Sequence, residues 1–589
     1  VQVAGVDEAD LVKTDGEYIY QVNRGRVIII KSYPGEKMSI AHTLNFRDSS
    51  FVPRELYIDE KYLVVVGTAH RPVPMIPEEK ILPGPDIYPP PYYGENTVKA
   101  LIYDLGDKSS PQFLRQVEIE GSYVSSRKIG SSLYLVANKY LNYHIMDQPS
   151  EQSGDNHLPS YLDTAGSGEF KKMDYGEIRY FPGFVTPNYL LVGGVNLDLP
   201  EKEMKLEAFL GAGENIYASL NNLYVAMTLY SWEQPLIARS KPHIISHQDR
   251  RTALYKFALQ EGEIKYQARG EVPGSVLNQF SLDEYGEYFR IATTTGEVWR
   301  DDEYTSKNNL YVLDEGLEVV GRLEDLAPGE TIYSVRFMGD RAYVVTFKTV
   351  DPLFVLDLQD ATNPRVLGAL KIPGYSDYLH PYDENYLLGF GKDAVEIPVK
   401  DGQGKIVGAT AYYQGMKVAL FDVRDVHNPV QLFSENIGDR GTDSELLRNH
   451  KALLFNREKN LLAFPVTVME VTNHWQDGKG SATRYGEFAF QGAYVYNLDP
   501  VNGFQLKGRI THLEEEDYLK AGSSWYNSDL NVERILYIGD TIYTLSQGKI
   551  TAHGLDRLEE KGVLNIPGTQ PYQPDTTSVK GEFRTLPAE

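Results

Sequence analysis

The chain has 589 residues, 42 of them Tyr, no Cys, and a formal net charge of −24. The missing thiols exclude disulfides, thiolate metal sites and Cys nucleophiles, and the negative field repels phosphate backbones and anionic lipid surfaces, so nucleic acid is not an expected partner. No run of about 18 apolar residues is present, so no transmembrane helix is expected.

Taken in order, residues 1–9 read as an extended segment, apolar at Val1 and Val3, that runs into an acidic cluster of Asp7, Glu8, Asp10 and Asp15. The chain opens at Val1 rather than Met, which reads as a processed or trimmed chain whose export signal, if it had one, is already gone. From residue 10 onward two signals alternate. The first is a tight polar turn followed by a Tyr/Val-rich run, the mark of a β-hairpin. It recurs at residues 15–20, 59–64, 130–135, 221–225, 284–289, 339–345, 383–388, 456–461 and 539–543. The second is a short aromatic or β-branched run at residues 27–30, 100–105, 189–192, 253–257, 309–313, 353–358, 418–422, 493–496 and 549–552. The two stay in step along the whole chain.

A repeated four-stranded unit cannot bury its faces alone, so its neighbours must stack on it in a ring. Residues 10–566 therefore read as one all-β propeller of four-stranded antiparallel blades, nine by count with eight as the alternative. The first unit has four strands' worth of pattern between residues 10 and 44 and the last between 532 and 566, so the ring is expected to close on complete blades, leaving both termini free. Insertions fall near 72–96, 140–186 and 471–484, the first rich in Pro and Tyr. The two longer polar ones are expected to project from one rim. Residues 567–589 form an extended tail. With Val1 and Val3, the tail's Val579, Phe583 and Leu586 are candidate positions for strand donation to the edge of another copy.

The chain lacks the spacings of a zincin, a nucleophile elbow, a phosphate-binding loop or an EF-hand. His243 and His247 have i, i+4 spacing, but Pro242 and the intervening Ile residues argue against the helix that would make them converge. Asp7, Glu8, Asp10 and Asp15, and separately Asp357 and Asp360, offer hard oxygen ligands for a structural calcium ion, against a plainer reading as turns and solvated acidic faces. Arg127 and Arg336 stand at equivalent positions, three residues before hairpin glycines, and with His380 they are candidates to line a central channel, against the plainer reading of the arginines as salt bridges to neighbouring blades.

GVDEADLVKTDGEYIY at residues 5–20, with GEVPGSVLNQFSLDEYGEYFRIATTTG at 270–296 and IPGYSDYLHPYDEN at 372–385, resembles the family of secreted prokaryotic proteins with a C-terminal β-propeller distantly related to WD40 repeats. The resemblance implies an exported propeller at the cell exterior and brings no agreed enzymatic activity. The expected function is non-enzymatic surface recognition, as a self-assembling subunit of a cell-surface or extracellular filament or layer whose partners are its own copies or other surface proteins. The alternatives are a monomeric ligand-binding propeller, or a channel-centred hydrolase or lyase with a divalent ion.

Overall fold

The third strand of the first blade, Arg26–Lys31, shows why these sequences make a ring. Its run Val27-Ile28-Ile29-Ile30 is wholly buried, and alternate residues go to opposite faces. Val27 and Ile29 pack with Leu63 and Val65 of the next blade, while Ile28 and Ile30 pack with Tyr543 and Ile550 of the last. A continuous apolar run is what a sheet sandwiched between two others requires.

The computed structural model describes residues 1–47, 49–72, 94–141, 157–180, 188–232, 248–347, 351–372, 374–472, 482–524 and 527–568. Nine antiparallel meanders occupy residues 12–45, 51–120, 122–210, 215–273, 282–326, 331–372, 375–437, 454–510 and 534–565, numbered here as blades 1 to 9. Each starts on an inner strand and ends on an outer one. The inner hairpins turn tightly, and Gly130, Gly286, Gly339 and Gly539 adopt φ of 55 to 62° there, a conformation that only Gly takes without strain.

One contact repeats between blades. A glycine on an outer strand sits under the backbone of the following blade's turn. A Cβ added at Gly321 would lie 2.0 Å from Ala361 O, and at Gly368 2.4 Å from Val426 O. At the seam, Gly562 of blade 9 meets Gly35 O of blade 1 at 2.4 Å in the same way. The ring thus closes by packing two complete blades, with Val12, Ile19, Ile28 and Ile30 against Ile538, Tyr543, Leu545 and Ile550.

Two sequence expectations need correction. The insertion after residue 140 does not simply project. Ser160–Asp163 adds a strand to the outer edge of blade 2, Lys171–Lys172 pairs with it, and Ile178–Arg179 runs parallel to the outer strand of blade 3. Buried charges hold it there. Arg115 pairs with Asp163 at 2.5 Å, Asp163 accepts from the Met204 N–H at 2.6 Å, and Glu120 accepts from the Ser160 N–H and hydroxyl and pairs with Lys139. The N-terminal segment is not free either. Val6–Asp7 pairs with Lys128 and Ile129 on the inner strand of blade 3, Val3 packs against the cores of blades 3 to 5, and the Gln2 side-chain amide donates to the carbonyls of Gln279 and Leu282.

Candidate functional site

In an antiparallel meander the connections between second and third strands emerge at the end where the inner strand begins. Blade 7 carries an unusually long ribbon there, Tyr386–Lys400 with Ile406–Asp422. At this same end the inner strands of blades 2, 3, 6 and 7 each hold one extra residue, Arg54, Val124, Tyr333 and Asp377. Such a bulge interrupts the ladder and re-aims one side chain. Gly391 makes room for it in blade 7, where a Cβ would lie 1.8 Å from Tyr375 O.

Two of these bulge residues, Val124 and Asp377, line a cavity of about 420 Å³. The rest of its wall comes from blade 4, from the approaches to blades 5 and 8, and from blade 7. Blades on opposite sides of a ring share a cavity only at its axis, so this is the mouth of the central channel.

In and beneath the mouth, side chains are paired, some across the channel and some within or between neighbouring blades. His450 Nε2 lies 2.6 Å from Glu8 Oε2, and Glu8 Oε1 accepts from the Gln279 amide and the Gln2 N–H. Burial alone would raise the Glu8 pKa, but the His450 hydrogen bond and charge and the Arg127 guanidinium outweigh it and hold the carboxyl well below the usual range. Lys451 donates to Glu55 at 2.7 Å, Arg448 pairs with Asp443 at 2.7 Å, and Arg534 binds both Asp10 and Glu445 at 2.9 Å.

Asp377 differs from these carboxylates. Among the described residues no donor hydrogen-bonds it, and burial, opposed by the Lys392 charge, raises its pKa to about 7. A carboxyl poised there can hold or accept a proton near neutrality. Ser125, the hydroxyl on the cavity wall, already accepts from Arg127 at 2.8 Å.

The three predicted channel residues form a layer behind this wall. Arg127 donates to Gln279 Oε1 at 2.9 Å, Arg336 lies over the Phe280 ring at 5.4 Å, and His380 Nδ1 is 2.9 Å from the Tyr378 hydroxyl. Gln279, Phe280 and Tyr378 all line the cavity. Burial and the Arg336 charge push His380 down to about 3, so its ring is neutral at ordinary pH. Sequence reasoning missed Glu8 as the partner of His450, and it missed Asp377 and Glu214 altogether.

The calcium candidates are not brought together. Asp7 binds Lys13 at 2.6 Å, Asp10 binds Arg534, and Asp15 accepts from the N–H groups of Glu17 and Tyr18. Asp357 pairs with Arg365, and Asp360 caps the turn at Thr362. Among the described residues no three His, Asp or Glu side chains converge. Val1 is exposed, whereas Val579, Phe583, Leu586, His243 and His247 lie outside the described residues.

Known proteins add a family. An uncharacterized protein of Methanocaldococcus jannaschii is 27% identical over 608 residues, covering 94% of this chain and 81% of the relative. One of Archaeoglobus fulgidus is 30% identical over 562 residues, covering 85% and 81%. Among solved structures, the periplasmic gluconolactonase of Pseudomonas aeruginosa matches 53% of this chain and 91% of its own at 12% identity and a TM-score of 0.23, too distant a likeness to bear on activity. A model of the beta propeller domain matches residues 1–558, and the chain belongs to that family.

Proposed function

We propose that this propeller is a non-catalytic recognition module of the cell exterior that takes its ligand at the mouth of its channel. The supporting observation is the pairing of the channel's charges: His450, Lys451, Arg448 and Arg534 are each engaged by a carboxylate of the same chain. A site built for hydrolysis or elimination needs groups free to move protons or to attack. Here the imidazole, the lysine and the arginines are engaged, and the carboxyls of Asp377 and Glu214 are left with free oxygens. The test is a screen of ester, lactone and glycoside substrates across acid to alkaline pH. No turnover above that of an Asp377→Asn/His450→Ala double variant is expected, and turnover that this variant abolishes overturns the reading.

A second reading, self-assembly into a surface polymer, draws on the end of blade 9. Its outer strand is complete at Asn565, and among the described residues the last in the core is Ile566, followed by Pro567, whose carbonyl accepts from Arg26 of blade 1. Among the described residues the outer strands of blades 1 and 4 to 9 carry no further strand, and an unpaired edge accepts an extended segment from another chain. Electron microscopy of the intact protein and of a chain truncated after Gly568 tests this. Filaments or layers lost on truncation support donation by the tail, and single particles in both samples exclude it.

A further inference from the structure

The chemistry of the mouth cavity is lopsided. Its imidazole and its cationic side chains are engaged, His450 by Glu8, Lys451 by Glu55 and Arg448 by Asp443. Among the described residues the lining itself offers an anionic ligand no cation without a carboxylate partner, Arg127 and Arg336 lying behind it, and such a ligand would face two carboxylates, Asp377 and Glu214. Both keep lone pairs to offer. Asp377 has no hydrogen-bond donor among the described residues, and Glu214 uses only Oε2, which accepts from the Thr228 N–H and hydroxyl.

Beside these acceptors stand amide donors. The Asn215 side chain makes no hydrogen bond among the described residues, and Asn278 uses its oxygen to cap the Phe280 N–H, leaving its NH₂. Ile216, Phe280, Leu446 and Leu447 give the wall an apolar part. A hydroxyl both donates and accepts, so a ligand carrying several closely spaced hydroxyls matches a wall that offers both carboxylates and amides. Its C–H face suits the apolar wall, and its neutrality suits the missing cation. A volume of about 420 Å³ lies within the range of small-molecule sites.

We infer that the mouth cavity binds a neutral polyhydroxylated ligand, a sugar unit of a glycan, held by Asp377 and Glu214 as acceptors and by Asn215 and Asn278 as donors. The inference rests on the recognition reading above and names its ligand class. An alkyl ammonium would pair with the two carboxylates but leave the amides unmatched, and unmatched polar groups cost affinity.

The experiment is titration calorimetry of the full chain. The probes are neutral hexose and N-acetylhexosamine oligomers, sulfated and uronic-acid oligomers, and alkyl diamines. Neutral oligomers are expected to bind and the others not. Asn215→Ala and Asp377→Ala should each weaken binding by about tenfold or more, while Asp540→Asn, in an inner-hairpin turn at the opposite end, should leave it unchanged. Melting curves establish that each variant is folded. Absence of neutral binding, or neutral binding indifferent to both cavity substitutions, overturns the inference. Diamines or acidic oligomers bound in place of neutral ones, and lost in the same variants, overturn the sugar class and leave recognition standing. Cleavage of a bound neutral oligomer, abolished by Asp377→Asn, overturns the non-catalytic reading and leaves the sugar class standing.

Discussion

Two buried residues make opposite contributions to stability as pH changes. His512 is 1% exposed, with Nδ1 and Nε2 each 2.8 Å from the hydroxyls of Ser546 and Thr544. Burial, with the Lys549 charge, pushes it down to about 3. The unfolded chain binds this proton near the ordinary value of about 6.5, so the folded state loses stability as pH falls from there toward 3. Urea midpoints should be flat above neutrality and fall with acid, and His512→Gln should flatten that acid limb. Asp377 has the reverse sign. Its pKa is raised from 3.8 to about 7, so the protonated form favours folding and stability is lost as pH rises through that window. Asp377→Asn should therefore stabilise by an order of 1–3 kcal/mol at alkaline pH and by little in acid, read from the same midpoints. A stabilisation independent of pH would show that Asp377 does not titrate in the folded state. Such residues are poorly legible in a sequence. Arg127 and Arg336 were found because they hold equivalent places three residues before hairpin glycines, and His380 because it falls near an inner strand. Asp377 escaped because a one-residue bulge, invisible in the alternation, turns it to the mouth. Glu8 and His450 are 442 positions apart, and nothing local announces their meeting.

The elements themselves were far more legible, since hairpin turns and apolar third strands are local signals. Each predicted third strand matches an observed one to within a residue at its end, from Arg26–Lys31 to Lys549–Gly554. What local pattern could not convey is how blades bear on each other. The segment 329–372 contains a turn at Asn363-Pro364 and then Gly368, and only the packed ring shows that Gly368 lies under the Val426 and His427 carbonyls. Backbone cannot move aside as a flexible side chain can. Gly368→Ala should cost about 2 kcal/mol, measured by chemical denaturation. The same change at Gly402, where an added Cβ meets nothing within 4 Å, should cost little. Equal effects at both sites would refute the idea that these glycines set blade spacing. The strand added by Ser160–Asp163 was missed for a related reason. Its attachment depends on the buried Arg115–Asp163 pair, and a polar insertion gives no sign of which edge it will cover.

At the scale of the whole molecule, nine blades exceed the usual propeller of roughly four to eight, and a larger ring leaves a wider bore to fill. Residues 1–9 take part of that space, with Val6 in the core between blades 3 and 4 and Glu8 reaching blade 8. The count of nine followed from two repeated signals kept in register. The occupied channel did not, because an extended apolar start reads alike whether it plugs its own ring or joins another. Glu8 and His450 form a principal bond of this closure, one carboxylate and one imidazole committed to each other. The measurement that bears most directly on it is a double-mutant cycle on folding stability with Glu8→Gln, His450→Gln and the double variant. The account predicts a coupling of about 2 kcal/mol, with the double variant scarcely less stable than Glu8→Gln alone. Additive effects with no coupling would contradict it, showing the two groups to be independent and free for other chemistry.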